Sequence, residues 1–426
     1  MQRRAFLTGG AALAGVTAGQ ALAAPVLSAN NSGLTLAKAA RRNGWIEIDA
    51  AAFEANIDAV RDWVGPARLC AVMKADAYGN GIALLIPSII AKRVTDVAIT
   101  SNDEARVARA LGYRSRLYRI RTATPDEMED AFAFGVEELV ANPDAALRLQ
   151  QMWRKRSKKR ALPVQLALNA SGMSRNGVEL STDYGKADAR TLLGLEGLTI
   201  RGVMTHYPSE EADDILGQLR HFHEDLAWLQ AQGLPQANLL RHTSNTFAAL
   251  KHPETRLDMV RIGGAIYGDP GSYKTDRFIQ TMTIKSRVAA VNRYPAGQTV
   301  NYDRTFRLER ESWLANIPLG YSDGFRRGFS HSNRPEFPAD NRNRSEVLIG
   351  GKRFPIVGRV TMNTLMVDVT GSQDRIRLDD EIVLFGAQGD QRITQAEFEA
   401  NSSAYAPEML SVLGTALPRV LGPQKK

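Results

Sequence analysis

Apolar and amphipathic segments alternate along the first two thirds of the chain, at the spacing of strands and helices. The clearest helix is predicted between Asp49, a good N-cap, and Gly65, because apolar residues recur there at helical spacing. Further helices are predicted at 103–111 and 215–232. Eight short apolar stretches predict strands, at 69–73, 97–100, 117–120, 137–140, 164–168, 199–204, 238–241 and 258–262. Strands that alternate with helices in this number predict a (β/α)8 barrel of the TIM type, at residues 44–277.

The pattern changes after residue 277. Short alternating stretches broken by proline and glycine predict a second, mainly β domain at 278–426. Its strands are predicted at Glu346–Ile349, Phe354–Val357, Leu365–Val369 and Glu381–Phe385. The segment 326–344 is polar and rich in arginine, asparagine and proline, which predicts a long exposed loop.

The first residues have the composition of an export signal. Arg3 and Arg4 precede a weakly apolar run, and Ala21-Leu22-Ala23 has the small residues of a cleavage site. The adjacent arginines, followed by Phe-Leu, are similar to the twin-arginine type of signal. The run is too short and too rich in glycine to span a bilayer. We therefore predict a cleaved signal peptide at residues 1–23, a periplasmic protein and no stable membrane anchor.

Charge and cysteine content bear on other classes of protein. The formal net charge is +8, and cleavage after Ala23 would remove two arginines and lower it to +6. The dense basic run 154–160 follows a predicted helix and lacks interleaved aromatic residues, which favours a solvated helix face over nucleic-acid binding. Cys70 is the only cysteine, which excludes an internal disulfide. His221 and His223 have no evident carboxylate or cysteine partner, so no metal site is predicted.

Polar residues follow several of the predicted strands, which is where the active site of such a barrel lies. Lys74 comes directly after the apolar run 69–73. Burial there would lower the pKa of its amine, and a neutral amine favours Schiff-base chemistry with an aldehyde cofactor. Tyr78 and the glycines that follow it suit a loop near a phosphate. From these residues alone, a solvated lysine at a strand end remains the alternative.

The stretch 71–81, Ala-Val-Met-Lys-Ala-Asp-Ala-Tyr-Gly-Asn-Gly, resembles the cofactor-lysine motif of alanine racemases and their broad-specificity relatives. The resemblance continues in order along the chain from residue 44 to residue 420. It implies a (β/α)8 barrel followed by a β domain, a homodimer with shared active sites, and pyridoxal 5'-phosphate as cofactor. Lys74 would hold that cofactor covalently and act as one of two bases.

Two later segments resemble other parts of the same family. The segment 300–306 resembles the catalytic-tyrosine segment, which implies that Tyr302 of the partner subunit transfers a proton on the substrate face opposite Lys74. Racemisation needs two faces, because the α-proton leaves one side and returns on the other. The segment 318–324 resembles a Gly-Tyr-x-Asp-Gly motif and places Tyr321 near the substrate. Without the resemblance, Tyr302 would be interpreted as a structural tyrosine.

The segment 258–268 resembles the family segment that contacts both ends of the cofactor. Arg261 would face the pyridine nitrogen as a permanent donor, keep it unprotonated and so limit transamination. The other predicted cofactor contacts are Tyr78, Arg175, His206, Asn245, Thr246, Gly263, Gly264 and Tyr267. The predicted substrate contacts are Arg175, Met362, Tyr321, Asn363, Thr415 and Arg121.

Three positions depart from the pattern of strict alanine racemases. Leu168 stands where that group has a lysine modified to a carbamate, so Asn169 or an anion must orient Arg175. Thr415 stands where that group has a tyrosine that crowds the pocket, which predicts a larger pocket. Arg121 follows a strand where similar broad-specificity enzymes also carry arginines.

These departures predict a broad-specificity amino-acid racemase that accepts larger, basic or polar side chains. A strict alanine racemase is one alternative. A metal-assisted D-amino-acid dehydratase or aldolase and a non-catalytic carrier of pyridoxal phosphate are the others.

Overall fold

The computed structural model describes residues 35–156, 160–273, 275–336 and 345–423. The predicted signal peptide lies outside these residues, as do the centre of the basic run 154–160 and the end of the predicted loop 326–344. No helix within the described ranges is long and apolar enough to cross a bilayer.

The described chain begins with a short helix, α1 (Leu36–Ala39), and a strand, β1 (Gly44–Ile48). The first long helix, α2 (Ala50–Val64), follows, and it confirms the helix predicted between Asp49 and Gly65. The Asp49 carboxylate accepts a hydrogen bond from the Ala52 amide at 2.9 Å, which satisfies one of the free amides at the helix start.

Eight parallel strands form the barrel that the sequence predicts. They are β2 (Arg68–Val72), β3 (Asp96–Ile99), β4 (Arg116–Arg119), β5 (Val136–Val140), β6 (Leu162–Ala167), β7 (Leu198–Met204), β8 (Leu240–His242) and β9 (Met259–Ile262). They pair in the order β8-β7-β6-β5-β4-β3-β2-β9. Backbone amides of Asp258 and Arg261 donate to the carbonyls of Arg241 and Ser244, both at 3.1 Å, and these bonds connect β9 to β8.

The connections between these strands are mainly helical, as in a (β/α)8 fold. They are α3 (Lys74–Tyr78), α4 (Ile82–Ala91), α5 (Asn102–Ala110), α6 (Pro125–Ala131), α7 (Pro143–Arg156), α8 (Asp183–Leu193), α9 (Ala212–Ala231) and α10 (Thr246–Lys251), whereas α2 precedes the first barrel strand. The helices predicted at 103–111 and 215–232 correspond to α5 and α9. His221 and His223 lie on the exposed face of α9.

The second domain is mainly β, as predicted. Its strands are β10 (Met282–Arg287), β11 (Ala290–Tyr294), β12 (Thr299–Val300), β13 (Phe306–Arg307), β14 (Ser312–Ile317), β15 (Glu346–Ile349), β16 (Lys352–Val357), β17 (Leu365–Asp368), β18 (Glu381–Gln388), β19 (Gln391–Ile393) and β20 (Arg419–Leu421). Two helices, α11 (Gln395–Ser402) and α12 (Ala406–Ala416), precede the last strand. The main sheet runs β11-β14-β17-β16-β15-β18-β10-β1-β20, and β19 pairs with β18.

Strand β1 corrects the boundary between the two parts. It lies inside the range 44–277 that we assigned to the barrel, yet it pairs antiparallel with β10 and parallel with β20. The start of the described chain therefore belongs to the second sheet. Its apolar pattern shows that it is a strand but carries no information about its partners.

Part of the predicted exposed loop 326–344 is buried, so the prediction is wrong for that part. Residues Arg327–Phe329 form a 3-10 turn. The Phe329 ring stacks on Phe325 with centroids 4.2 Å apart, and it lies 4.6 Å from the ring of Phe398 in α11. The sequence around Phe329 is polar, so its pattern gives no sign that this one ring is buried. The ring packs the turn against the core of the second domain.

Candidate active site

A cavity of about 420 Å³ opens at the carboxyl end of the barrel strands. Ten of the predicted site residues line it, namely Lys74, Tyr78, Arg121, Arg175, His206, Asn245, Thr246, Arg261, Gly263 and Gly264. They lie at or just after the ends of β2, β4, β6, β7, β8 and β9. Because the carboxyl ends of parallel strands meet at one rim, these side chains converge although they are far apart in sequence.

The turn α3, which begins at the candidate cofactor lysine, winds left-handed. The four residues after Lys74 have φ between 52° and 58°, a conformation that costs about 1–2 kcal/mol for each L-residue. Asp76 holds the turn at three points. Its amide donates to Glu104 Oε1 at 3.2 Å, its Oδ1 accepts from the Ile82 amide at 2.7 Å, and its Oδ2 forms an ion pair with Arg419.

Helix α12 of the second domain packs directly against this turn. A Cβ on Gly79 would lie 2.2 Å from the carbonyl oxygen of Leu410, and one on Gly414 would lie 2.4 Å from the carbonyl oxygen of Gly79. These two glycines therefore allow the backbones to touch. Together with Arg419, which follows α12, they make the position of Lys74 depend on the second domain.

The environment of Lys74 favours its neutral amine. Its Nζ lies 5.6 Å from the centroid of the Tyr78 ring. Burial lowers the pKa of the Lys74 amine, and the nearby cations Arg175 and Arg261 lower it further, while Glu104 opposes them. The deprotonated amine is the nucleophilic and basic form.

Two tyrosines and a glycine form one wall beside Lys74. The Tyr78 ring stacks on Tyr267 with centroids 5.0 Å apart. A Cβ on Gly263 would lie 2.3 Å from the Tyr78 hydroxyl oxygen, so glycine makes room for the phenol. Tyr267, predicted as a cofactor contact, lies behind Tyr78 and outside the cavity wall. Its hydroxyl donates to the Val72 carbonyl at 2.9 Å, so it supports Tyr78 from below.

Arg261 is buried at the base of the cavity and surrounded by neutral acceptors. Its Nη1 donates to the carbonyl oxygen and Nδ1 of His242, at 2.6 and 3.1 Å. Its Nη2 lies 2.8 Å from the Thr205 carbonyl, 3.1 Å from the Thr243 carbonyl and 3.2 Å from His206 Nδ1. Among the described residues, Nε of Arg261 has no acceptor, so this N–H is the donor left for a ligand in the cavity.

Burial next to a cation keeps the two imidazoles neutral. Burial lowers the pKa of the Arg261 guanidinium to about 10, which leaves it charged at neutral pH. Burial, followed by the charges of Arg261, Arg175 and Lys74, lowers the pKa of His206 to about 3. Burial and the Arg261 charge also hold the pKa of His242 well below its ordinary range. Both rings therefore accept hydrogen bonds from Arg261 through an unprotonated Nδ1.

The loop after β6 presents Arg175 to the cavity. Its Nε donates to Asn176 Oδ1 at 3.2 Å. Asn169, which was predicted to orient Arg175, instead accepts from the Ser174 amide at 2.7 Å and donates to Glu179 at 2.6 Å. Asn169 therefore shapes the loop, whereas the side chain that contacts Arg175 is Asn176.

Besides Thr415, four predicted site residues lie on the second domain, outside the cavity wall of their own subunit. Tyr302, Tyr321, Met362 and Asn363 are all exposed, and Tyr302 has 71% of its surface open to solvent. We call these residues the Tyr302 group.

The segments that carry the Tyr302 group are hydrogen-bonded to one another. The amide of Tyr321 donates to the Thr361 carbonyl at 3.0 Å, and the Asn301 side chain donates to the Arg359 carbonyl at 2.8 Å. Asn301 and Asp303, on either side of Tyr302, have φ of 57° and 60°. The structure therefore brings these residues onto one face and holds Tyr302 on a strained turn.

In helix α12, the predicted role of Thr415 is wrong. At the start of the same helix, Tyr405 is a cavity residue that the sequence analysis missed. Thr415, predicted as a substrate contact that enlarges the pocket, is exposed and lies outside the cavity wall. Its hydroxyl donates to the Val412 carbonyl at 2.7 Å. Tyr405, the N-cap of α12, lines the cavity instead and belongs to no recognisable motif. The polar wall residues Glu210 and Asp269 were also missed, since only the fold brings them to the rim.

Comparison with known proteins identifies the class that this fold and site define. The family model "Alanine racemase, N-terminal domain" matches residues 48–270, and "Alanine racemase, C-terminal domain" matches residues 281–421. The chain therefore belongs to the alanine racemase family. Both halves match, which favours a racemase over the dehydratase, aldolase and carrier alternatives.

The relatives narrow the class to amino-acid racemases. The chain is 45% identical over 401 residues to a broad specificity amino-acid racemase of Pseudomonas putida, covering 94% of each chain. It is 41% identical over 381 residues to a lysine racemase of Proteus mirabilis, covering 89% of each. It is an isomerase, and the prediction of a racemase is confirmed.

Solved structures of the family share the fold. An alanine racemase of Bacillus anthracis with bound L-Ala-P matches with a TM-score of 0.79 and 26% identity, covering 90% of this chain and 96% of the other. An alanine racemase of Bartonella henselae with covalently bound pyridoxal phosphate matches with a TM-score of 0.74 and 23% identity, covering 89% and 99%.

The contact between α12 and the lysine turn predicts the effect of Gly79→Ala. Adding a Cβ forces α12 away, so the free energy of unfolding should fall by more than the ~1 kcal/mol expected for a positive-φ glycine alone. Gly112→Ala is the matched control, because Gly112 has φ of 94° and no atom within 4 Å of an added Cβ. Urea denaturation of both variants measures the difference. An equal decrease in the free energy of unfolding for both variants would show that the contact with α12 does not hold the turn in place.

The lowered pKa of His206 predicts a loss of stability in acid. An unfolded histidine protonates near its ordinary pKa of 6.5, whereas folded His206 protonates only near 3. Between these values the unfolded state binds more protons, so the free energy of unfolding falls as the pH is lowered. His206→Gln should make this fall shallower by up to about 1.4 kcal/mol per pH unit.

His223→Gln, on the exposed face of α9, is the control for the acid experiment. Urea unfolding at several pH values between 7 and 4 should show the native slope for this control. A native slope for His206→Gln as well would contradict the buried, neutral state of His206.

Proposed function

We propose that the protein is a pyridoxal-phosphate-dependent, broad-specificity amino-acid racemase that acts as a homodimer. Lys74 of one subunit and Tyr302 of the other exchange the α-proton on opposite faces of the substrate. The observation that carries the proposal is the separation of two half-sites in one chain. Lys74 lines the barrel cavity, whereas the exposed Tyr302 group lies outside that cavity wall. A second copy of the chain joins the halves and covers the Tyr302 group.

The residues around the cavity fit the proposed cofactor. Lys74 supplies an amine for its aldehyde, and the unused Nε–H of buried Arg261 supplies a donor for its pyridine nitrogen. Gly263 and Gly264, which line the cavity, and Asn245 at the start of α10 would lie next to its phosphate. When bound, pyridoxal phosphate withdraws electrons from the Cα of the substrate and makes the α-proton acidic.

The chain's own residues then divide the proton transfer between them. The lowered pKa of Lys74 lets its amine accept and return a proton at neutral pH, from within the barrel. Tyr302 of the partner subunit performs the same exchange through its phenol on the other face. Arg175, exposed at the cavity and contacted by Asn176, offers a planar cation suited to the substrate carboxylate.

The composition of the cavity wall supports a broad substrate range. Arg121 and Asn176 lie on the wall together with the acids Glu210 and Asp269. Such a wall offers partners for side chains of either charge. The relatives named above support this range, since one is called a broad specificity amino-acid racemase and another a lysine racemase.

Mixed dimers test the shared site. Lys74→Ala and Tyr302→Phe should each lack racemase activity alone, because each removes one of the two bases. If the chains are mixed and allowed to exchange, half of the dimers are mixed and each has one intact site, so about a quarter of native activity should return. Activity that does not return, with dimers demonstrated by sedimentation, would place both bases in one chain.

The assay for this experiment also tests the reaction and its range. L-lysine, L-arginine and L-alanine are incubated with the loaded enzyme in D2O, followed by chiral chromatography and NMR at Cα. The proposal expects D-enantiomer with deuterium at Cα from all three. Conversion of alanine alone would contradict broad specificity, and no exchange from any of them would contradict a racemase.

We also propose that residues 1–23 direct the protein to the periplasm. Support comes from the paired arginines, the short apolar run and the Ala21-Leu22-Ala23 cleavage site. Cells producing the full chain should release a protein that begins at Ala24 on osmotic shock. The double variant Arg3→Lys, Arg4→Lys should remain in the cytoplasm at full length. Full-length native protein in the cytoplasm would contradict the proposal.

A further inference from the structure

A line of buried polar side chains crosses the barrel interior, where barrels of this type usually pack layers of apolar residues. His242 and Gln165 are each 1% exposed, and Glu137 is 5% exposed. The line begins at Arg261 beneath the cavity and ends at the opposite, amino-terminal end of the barrel. We call Arg261, His242, Gln165 and Glu137 the barrel relay.

Each bond in the barrel relay points in the same direction. Glu137 Oε2 accepts from Gln165 Nε2 at 2.6 Å, so the amide oxygen of Gln165 faces the other way. That oxygen lies 3.0 Å from His242 Nε2, which must therefore carry the hydrogen. In a neutral imidazole this leaves Nδ1 unprotonated, free to accept from Arg261 Nη1 at 3.1 Å. Donation runs without a break from the cation Arg261 to the carboxyl group of Glu137.

The backbone around Gln165 is adapted to this arrangement. A Cβ on Gly202 in β7 would lie 2.0 Å from the amide oxygen of Gln165, so only glycine leaves room for the amide. The pairing of β6 with β7 is interrupted between Val164 and Gln165, where Arg201 is the extra residue. Arg201 Nη1 lies 3.6 Å from Glu137 Oε1. The irregularity and the glycine thus accommodate the end of the relay.

We propose that Gln165 and Glu137 are positioning residues, which fix the tautomer of His242 and through it the orientation of the Arg261 guanidinium. With the other tautomer, a hydrogen on Nδ1 of His242 would face a hydrogen on Nη1 of Arg261. That clash of donors would turn the guanidinium and move its Nε–H in the cavity. The inference rests on the proposed function for its catalytic consequence but not for its structural content.

Four variants separate the barrel relay from general stability. Gln165→Met removes the amide at similar length, and Gly202→Ala displaces the amide without changing a relay residue. Glu137→Gln keeps an acceptor but removes the charge. Glu47→Gln is the matched control, because Glu47 is also a buried carboxylate, accepting from Trp45 Nε1 at 2.9 Å and paired with a cation, Lys285, at 2.9 Å.

The first readout is the tautomer of His242 in the cofactor-loaded enzyme. Histidine is labelled with 15N, and the His242 signals are assigned by their loss in His242→Gln. Native enzyme and Glu47→Gln should show a hydrogen on Nε2 only. Gln165→Met and Gly202→Ala should show a hydrogen on Nδ1 in a detectable part of the molecules, because the acceptor that holds Nε2–H is gone and only the Arg261 donor at Nδ1 still favours the native tautomer. Glu137→Gln should show a smaller change of the same kind.

The second readout is the kinetic constants for L-alanine. Gln165→Met and Gly202→Ala should lower kcat about tenfold or more, as is typical when a residue that orients a ligand-contacting group is lost. KM should stay within about twofold, because Arg261 faces the cofactor and not the substrate. Glu47→Gln should keep the native kcat.

An unchanged His242 tautomer in folded Gln165→Met or Gly202→Ala would overturn the inference, and so would an equal loss of kcat in Glu47→Gln. If Gln165→Met does not fold, the same two measurements on Gly202→Ala and Glu137→Gln test the inference. The tautomer readout needs no turnover. A native enzyme that fails to racemise would therefore contradict the proposed function, while the tautomer would still decide the relay.

Discussion

The guanidinium of Arg261 is the constraint on which the site depends. A buried cation costs several kcal/mol unless hydrogen bonds replace its hydration, and no carboxylate contacts Arg261 among the described residues. Carbonyls at the ends of β7 and β8, with the imidazoles of His206 and His242, supply that replacement. These hydrogen bonds from Arg261 fix the ends of β7, β8 and β9 relative to one another. They also leave one donor, Nε–H, without an acceptor among the described residues, and the pyridine nitrogen of the proposed cofactor would accept from it.

A second constraint links the two domains. The left-handed turn after Lys74 is unfavourable for L-residues and persists only where its surroundings hold it. Asp76, Arg419 and the contact of Gly79 with α12 provide that support from both domains. The turn that begins at Lys74 is therefore positioned by residues more than 300 positions later in the chain, as the ion pair of Asp76 with Arg419 shows. A barrel without the second domain would lose this support.

The separation of Lys74 from the Tyr302 group follows from what racemisation requires. Lys74 lies in the barrel cavity and, in the proposed mechanism, serves one face of the substrate. In the proposed mechanism, the base for the other face comes from the second domain of the partner subunit. The turn that carries Tyr302 is exposed and strained, which suits a group that enters a neighbouring cavity. In the proposed homodimer, sharing residues between two copies of one chain would provide both bases without a further domain.

The sequence by itself determined the eight barrel strands, the β character of the second domain and ten of the residues that line the cavity. Eight strands, the second β domain and ten cavity residues follow from local patterns and from motifs in a recognisable order, because periodicity and strand ends are properties of adjacent residues. Only the tertiary structure decided that β1 joins the second sheet, that Tyr267 lies behind Tyr78, and that Thr415 lies outside the cavity. It also decided that Gln165 connects His242 to the far end of the barrel. These facts depend on which strands meet and where side chains point, and neither is encoded in the spacing of residues along the chain.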